Sequence, residues 1–370
     1  MEMYKHHILG AISGSSLDGL DLASTYFEMS VENEKPTINH WEITKAGTVP
    51  FPDEIYKRLK NAPHISAKEL CLLDAELGQW MGDQIKQFLV DSRSVEYVCS
   101  HGHTVFHDPE KGMTCQIGHG AHIAARSGIP VIDDVRYADI AAGGVGAPFA
   151  PLADKFLLHG YQFYLNLGGI TNLTHMLNEE AIAWDLGGCN QLLNHLAQKL
   201  NLAFDRNGEI ARKGQVHENL LTHLLDLFPI YLDEAIAMDN QQVVQLYFPV
   251  LDQSKLSIQD LIATSTKYIV IQIEKTIERI LQKYPAQKSM KLIATGGGAL
   301  NGFMMELLSE RIAQFGVELV IPENQIIEFK EAALLALMGL FRIHDIPNSL
   351  PSVTNARFPP IGGALHQVRL

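Results

Sequence analysis

The chain has 370 residues, 46% hydrophobic and 19% charged, with a formal net charge of −13. That length exceeds one ordinary compact core, so two lobes are expected, while the composition excludes a disordered chain and the acidic balance excludes a nucleic-acid footprint. Cys71, Cys99, Cys115 and Cys189 form no Cys-x-x-Cys pair, no apolar run reaches the roughly 20 residues that span a bilayer, and Lys5, His6 and His7 leave no room for a signal-peptide core before the first glycine motif. A cytoplasmic protein without a membrane partner is expected.

In chain order, Ile8–Ile12 reads as a strand entering Ser13-Gly14-Ser15-Ser16, and Leu20, Leu22 and Ala23 read as a second strand returning from the turn. Small residues let a main chain approach an anion closely. The hydroxyls of Ser13, Ser15 and Ser16 and the backbone N–H groups of the Gly10–Asp21 segment can donate to phosphate, and Asp18 can hold a hydrated cation. Taken alone the segment reads better as an ordinary hairpin turn, and the Gly-Lys-Ser/Thr step of a Walker loop is missing. A helix follows over Ala67–Phe88. The apolar run Val95–Cys99 then reads as a strand that opens into Ser100–His107, where His101, His103 and His107 suit either substrate hydrogen bonds or a metal.

The connection from Ile132 to Pro148 is rich in Asp and Gly. In it Arg136 can pair with Asp134 or Asp139, or grip a substrate carboxylate. The Gly/Ala/Pro stretch Ala141–Pro151 reads as a crossover. The expected division gives a first lobe of residues 1–136 joined by the Pro-rich 346–370 tail packed back on it as irregular structure, and a second lobe of residues 137–345.

In the second half, the strand Tyr161–Leu167 enters Gly168-Gly169-Ile170-Thr171-Asn172 as another hairpin. The apolar strand ending at Trp184 then presents Asp185, ahead of glycines, Asn190 and a helix over Cys189–Leu200. A carboxylate there can act as general base or cap the helix. Further helices are expected over Ser257–Gln282 and Phe329–Arg342. Between them Leu292–Ala294 enters Thr295-Gly296-Gly297-Gly298, followed by helical spacing over Ala299–Ile312 and by Asn301 at the turn. Glycines before a helix N-terminus suit a nucleotide. Glu331, in Lys330-Glu331-Ala332, reads as a first-turn acid or a substrate contact. Alternating strands and helices in both halves imply α/β lobes.

Taken together, the chain resembles the anhydro-N-acetylmuramic acid kinases, of the sugar kinase, heat-shock ATPase and actin superfamily. The resemblance rests on the segment from Ser13 to Asp21, His101-Gly-His-Thr104, Gly143-Gly-Val-Gly-Ala-Pro148, Asn166 to Leu173, Asp185-x-Gly-x-x-Asn190, Thr295 to Asn301 and Glu331-Ala332. It implies a two-lobed actin-like ATPase (ribonuclease H-like) fold with a nucleotide cleft between the lobes. It also implies ATP with Mg2+ as cofactors, an anhydro amino sugar as substrate, cell-wall recycling as the setting, and a homodimer. Asp185 would be the catalytic base. Ser13, Gly14, Ser15, Ser16, Asp18, Gly19, Gly168, Gly169, Thr171, Asn172, Gly296, Gly297, Gly298 and Asn301 would bind ATP. His101, His103, Asn190 and Glu331 would bind the sugar. The chain departs from the family pattern at His103, Val145, Leu186, Gly188 and Cys189, and Ala235-Ile236-Ala237 stands where the family has Pro-Lys-Ser.

Overall fold

The computed structural model describes residues 2–14, 17, 19–90, 94–177, 180–229, 232, 238, 240–285 and 290–368. Its strands are β1 (Glu2–Ser13), β2 (Leu20–Glu32), β3 (Lys35–Val49), β4 (Tyr97–Asp108), β5 (Met113–Ile117), β6 (Val131–Asp133), β7 (Phe163–Leu167), β8 (Ile170–Leu177), β9 (Glu180–Gly188), β10 (Met290–Thr295), β11 (Val317–Val320) and β12 (Ala364–His366). The helices are α1 (Asp53–Asn61), α2 (Ala67–Phe88), α3 (Gly120–Ser127), α4 (Tyr137–Ala141), α5 (Ala150–Phe156), α6 (Asn190–Gln198), α7 (Glu209–Lys213), α8 (Glu218–Leu227), α9 (Asn240–Gln253), α10 (Ile258–Lys283), α11 (Gly302–Ala313), α12 (Asn324–Ile343) and α13 (Pro351–Thr354). Two compact units result: Met1–His159 with Phe329–Leu370, and Gly160–Glu328.

In the first unit the sheet order is β12-β6-β4-β1-β2-β3, with β5 beside β4. β1, β2 and β3 form an antiparallel meander, β4 lies parallel to β1, and β6 lies parallel to β4. A parallel step needs a crossover, and α1 with α2 supply the one from β3 to β4. Ser66 opens α2 with a capping box, its hydroxyl accepting from Glu69 N while the Glu69 carboxylate accepts from Ser66 N. β1 is buried without a break from His7 to Ser13, as a strand covered on both faces must be. One cover is α12. A Cβ on Gly10 would fall 1.7 Å from the Ala332 carbonyl oxygen, so only glycine lets that helix close on the strand.

In the second unit the order is β11-β10-β7-β8-β9. β7, β8 and β9 again form an antiparallel meander, with β10 parallel to β7 and β11 parallel to β10. Strand for strand this repeats β6-β4-β1-β2-β3, so the chain contains one topology twice. It is the ribonuclease H-like arrangement of the actin-like fold. Its core gathers Phe163, Leu165, Trp184 and Leu192 with the buried face of α10, including Ile269, Ile273 and Ile277.

The expected helix over 67–88 is α2, and those over 189–200 and 257–282 are α6 and α10. Two expectations shift. The units part at His159/Gly160 and at Glu328/Phe329, not at 136/137 and 345/346. The Gly-rich stretch is bonded into the first unit, where Val145 N donates to Thr354 O and Arg357 N to Ala142 O, and Trp41 Nε1 reaches Leu157 O. The tail, expected to be irregular, adds β12 antiparallel to β6.

Candidate active site

In the second unit, three of the segments singled out in the sequence meet. The β7–β8 turn receives the start of α6: Cys189 N donates to Gly169 O at 2.8 Å and Asn190 N to Gly168 O at 3.1 Å. Asn190 Nδ2 donates to Leu167 O at 2.9 Å. Because β10 pairs with β7, its glycine turn reaches the same place. Gly296, at φ 79°, and Gly298 are glycine for internal reasons, since a Cβ would come within 2.6 Å of Asn166 Oδ1 and 2.7 Å of Leu167 Cβ respectively. Gly297 differs. Among the described residues, a Cβ there would meet only Asn190 Nδ2 at 3.7 Å, and at Gly168 and Gly169 nothing would lie closer than 3.6 Å. No packing among the described residues demands glycine at these three positions, so the room they leave there is available to a ligand.

Asp185, half-buried on β9, pairs in register with Asn172. Its Oδ1 accepts from Asn172 Nδ2 at 2.9 Å and its Oδ2 from Met238 N at 2.8 Å. It does not cap α6, whose N-cap residue is Cys189 without a side-chain bond. Thr171 is buried beside Cys189. Asn301 caps α11, accepting from Met304 N at 3.1 Å, which gives this expected nucleotide contact a structural role as well. A groove of about 250 Å3 runs between Asn190, Leu193, Phe204, Asn207, Gly297 and Leu300. Phe204 and Leu300 lie exposed on it. Sequence reading passed over Phe204 and Asn207. The one available signal was the turn Phe204-Asp-Arg-Asn-Gly208, where Asp205 accepts from Ile210 N and Ala211 N, and Asn207 Oδ1 accepts from Gly302 N at the start of α11.

In the first unit, Ser13 ends β1 opposite His103, with Oγ 3.0 Å from His103 Nδ1. Burial lowers the His103 pKa. His101 Nε2 accepts from Arg136 Nε at 2.7 Å, which leaves Nδ1 as the donor toward Gly102 O. Burial, reinforced by the Arg136 charge, brings the His101 pKa down to about 3, so the ring is neutral. Arg136 also donates to Gly146 O at 2.9 Å and lies over the Phe149 ring. It therefore ties the Gly143–Pro148 loop to His101. Neither expected ion pair, with Asp134 or with Asp139, forms among the described residues. Asp139, almost fully buried, instead accepts from Ser349 Oγ at 2.7 Å, Thr354 Oγ1 at 2.8 Å and Gly146 N at 2.8 Å. His107 turns to Thr114 Oγ1, so the three histidines are not gathered as a metal-ligand set.

One more expectation changes. Glu331 is not a first-turn acid, because α12 begins at Asn324; it is exposed, and its charge supports the Arg136 guanidinium. Gly19 is required by packing, since its Cβ would lie 2.4 Å from Val49 O. Gly14 O accepts from Leu17 N at 3.3 Å. Ser15, Ser16, Asp18 and the Ala235-Ile236-Ala237 segment lie outside the described residues.

Comparison with known proteins agrees on a family. The family described as anhydro-N-acetylmuramic acid kinase matches residues 6–367. A protein of that name from Pasteurella multocida is 31% identical over 97% of this chain and 96% of its own length. One from Synechococcus elongatus is 29% identical over 96% and 98%, and one from Bacillus thuringiensis (strain Al Hakam) 28% over 97% and 100%. A ROK family protein from Streptococcus pneumoniae TIGR4, solved in complex with sucrose, aligns with 92% of this chain and 99% of its own at 10% identity and a TM-score of 0.37, too low to argue from. In the described residues no helix is long and apolar enough to cross a membrane. The chain belongs to the anhydro-N-acetylmuramic acid kinase family and is a sugar kinase.

Proposed function

We propose that the chain is an ATP-dependent kinase of 1,6-anhydro-N-acetylmuramic acid that couples opening of the anhydro ring to phosphorylation, in cell-wall recycling. A water attacks the anomeric carbon and gives its proton to Asp185. The bond from that carbon to O6 breaks, and O6 takes the γ-phosphoryl group as the bond to ADP breaks. The products are N-acetylmuramic acid 6-phosphate and ADP. The observation that carries this reading is the setting of Asp185. Among the described residues one donor holds each of its oxygens, while a carboxylate offers about four acceptor sites, so the others can orient and deprotonate a water.

The nucleotide side rests on the room at Gly168, Gly169 and Gly297, which admits phosphate oxygens close to the backbone, and on the groove edged by Phe204 and Leu300, which suits an adenine ring. ATP enters as its magnesium complex, in which the cation neutralises the phosphates. On the sugar side, the first unit offers neutral His101 held by Arg136, with His103 and Glu331, and the second unit separately offers Asn190. The resemblance also supports a cytoplasmic homodimer, which light scattering of the eluting protein checks by its mass.

Incubation with the anhydrosugar, ATP and magnesium tests the reading by sugar-dependent ADP release. His103 and Val145 differ from the family pattern and favour one second reading, a relative with altered sugar specificity. Turnover of another anhydrosugar in preference to this one would support that alternative. ATP binding with no sugar-dependent release would make the chain a nucleotide-binding protein.

A further inference from the structure

Away from the residues considered so far, three elements of the first unit bring His119, Asp133 and His366 together. His119 is the N-cap residue of α3, Asp133 ends β6, and His366 lies on β12, which pairs antiparallel with β6. One ligand atom from each lies within 4.8 Å of the other two, and the described residues contain no second such group. His366 Nε2 is 2.9 Å from Asp133 Oδ1, and the rings of His119 and His366 are 5.3 Å apart between centroids. Gly120 N donates to Asp133 Oδ2 at 2.6 Å and fixes the carboxylate. A Cβ on Gly120 would fall 2.6 Å from Asp133 Oδ2 and 2.7 Å from His366 Cδ2, so glycine is what leaves the three side chains their space.

We propose that His119, Asp133 and His366 bind a zinc ion that staples the C-terminal strand β12 to β6 and α3. Two imidazole nitrogens and one carboxylate oxygen match zinc, whereas magnesium and calcium take oxygen sets. Three protein ligands leave the fourth tetrahedral position to water. The 2.9 Å between His366 Nε2 and Asp133 Oδ1 is the separation of two donors that can share one ion. On binding, the His366 proton moves from Nε2 to Nδ1, and the His366–Asp133 hydrogen bond is exchanged for two bonds to the metal. His119 gives up the lone pair that now accepts from Ala121 N, so the cap bond of α3 is traded for coordination. The Gly120 N–H remains on the carboxylate as the outer support that metal ligands characteristically have. The tail held in this way also carries Ser349 and Thr354, which bind Asp139.

The test uses the full chain, stripped with chelator, dialysed and titrated with zinc chloride by calorimetry, with metal content measured afterwards. One zinc per chain and a rise in melting temperature are expected, and magnesium should not compete. His366→Ala and His119→Ala should each weaken binding by more than about 100-fold, the upper end of what loss of an outer-shell partner costs, and abolish the rise, while the exposed His40→Ala should bind as the wild type does. His366→Gln guards against misfolding: its circular dichroism without metal should match the wild type while zinc affinity is lost. Failure of the stripped wild type to take up zinc would overturn the proposal, as would undiminished affinity in the His119 and His366 variants.

Discussion

Replacing Asp185 with Asn separates a catalytic carboxylate from a structural one. In the wild type each carboxylate oxygen faces a donor, Asn172 Nδ2 on one side and Met238 N on the other. An amide presents one oxygen and one NH2. With its oxygen toward Met238 N, its NH2 faces Asn172, whose own amide must turn over to accept. Both bonds then survive without charge assistance, at a cost of about 1 kcal/mol each, or roughly 2 kcal/mol in all. For a chain of this size that lowers the melting temperature by several degrees. Loss of a general base costs far more in rate, about 10²- to 10⁴-fold in kcat. Sugar-dependent ADP production, nucleotide affinity and melting temperature should be measured on the same preparation. The expected pattern is kcat reduced by at least 10², unchanged ATP affinity and a modest thermal shift. Near-normal kcat with the same thermal shift would refute the reasoning and leave Asp185 as an acceptor that fixes Met238 to β9.

Gly297→Val should fold normally and bind ATP at least tenfold more weakly, because its Cβ enters open space; Gly298→Val should lose stability first, because its Cβ meets Leu167, and paired melting and titration experiments tell the two apart. His101 is neutral in the folded chain down to about pH 3, while the unfolded chain protonates it near 6.5. Below pH 6.5 the unfolded state therefore holds the extra proton, so stability should fall from there toward pH 3 and be unaffected above, and His101→Gln should flatten that limb of a denaturation series. Asp139→Ala strips acceptors from Ser349, Thr354 and Gly146 and should cost roughly 3 kcal/mol by denaturant unfolding; a loss under 1 kcal/mol would mean the buried donors find other partners.

Much of the fold was legible because its signals are local. The two hairpins, the Gly296–Gly298 turn and α2, α6 and α10 follow from apolar runs that stop at Gly, Ser or Asn, and from spacing near 3.6. The unit boundary was not legible, since residues 137–159 join the first unit through Asp139, Val145 and Trp41, bonds to partners up to 215 residues distant. The start of α12 was missed for a related reason: its first turn, Asn324 to Ile327, carries only two apolar residues and looks like loop. At the site, Asp185 and the glycine turns stood out by residue type. Phe204 and Asn207 did not, because an exposed aromatic in a polar turn acquires meaning only when α6 and the Gly297 turn come up beside it. The partner of Arg136 was misjudged because two acids lie close in sequence, whereas the fold turns the guanidinium to His101.

The central claim is that one active site opens the anhydro ring and phosphorylates O6 in a single turnover. Mass spectrometry of the product formed from 1,6-anhydro-N-acetylmuramic acid, ATP and magnesium in 18O-labelled water tests it most directly. The account predicts N-acetylmuramic acid 6-phosphate, heavier than substrate by one phosphoryl group and one water whose oxygen is the labelled one, with one ADP per product. A product that keeps the anhydro ring, or ADP formed at the same rate without sugar, would contradict it.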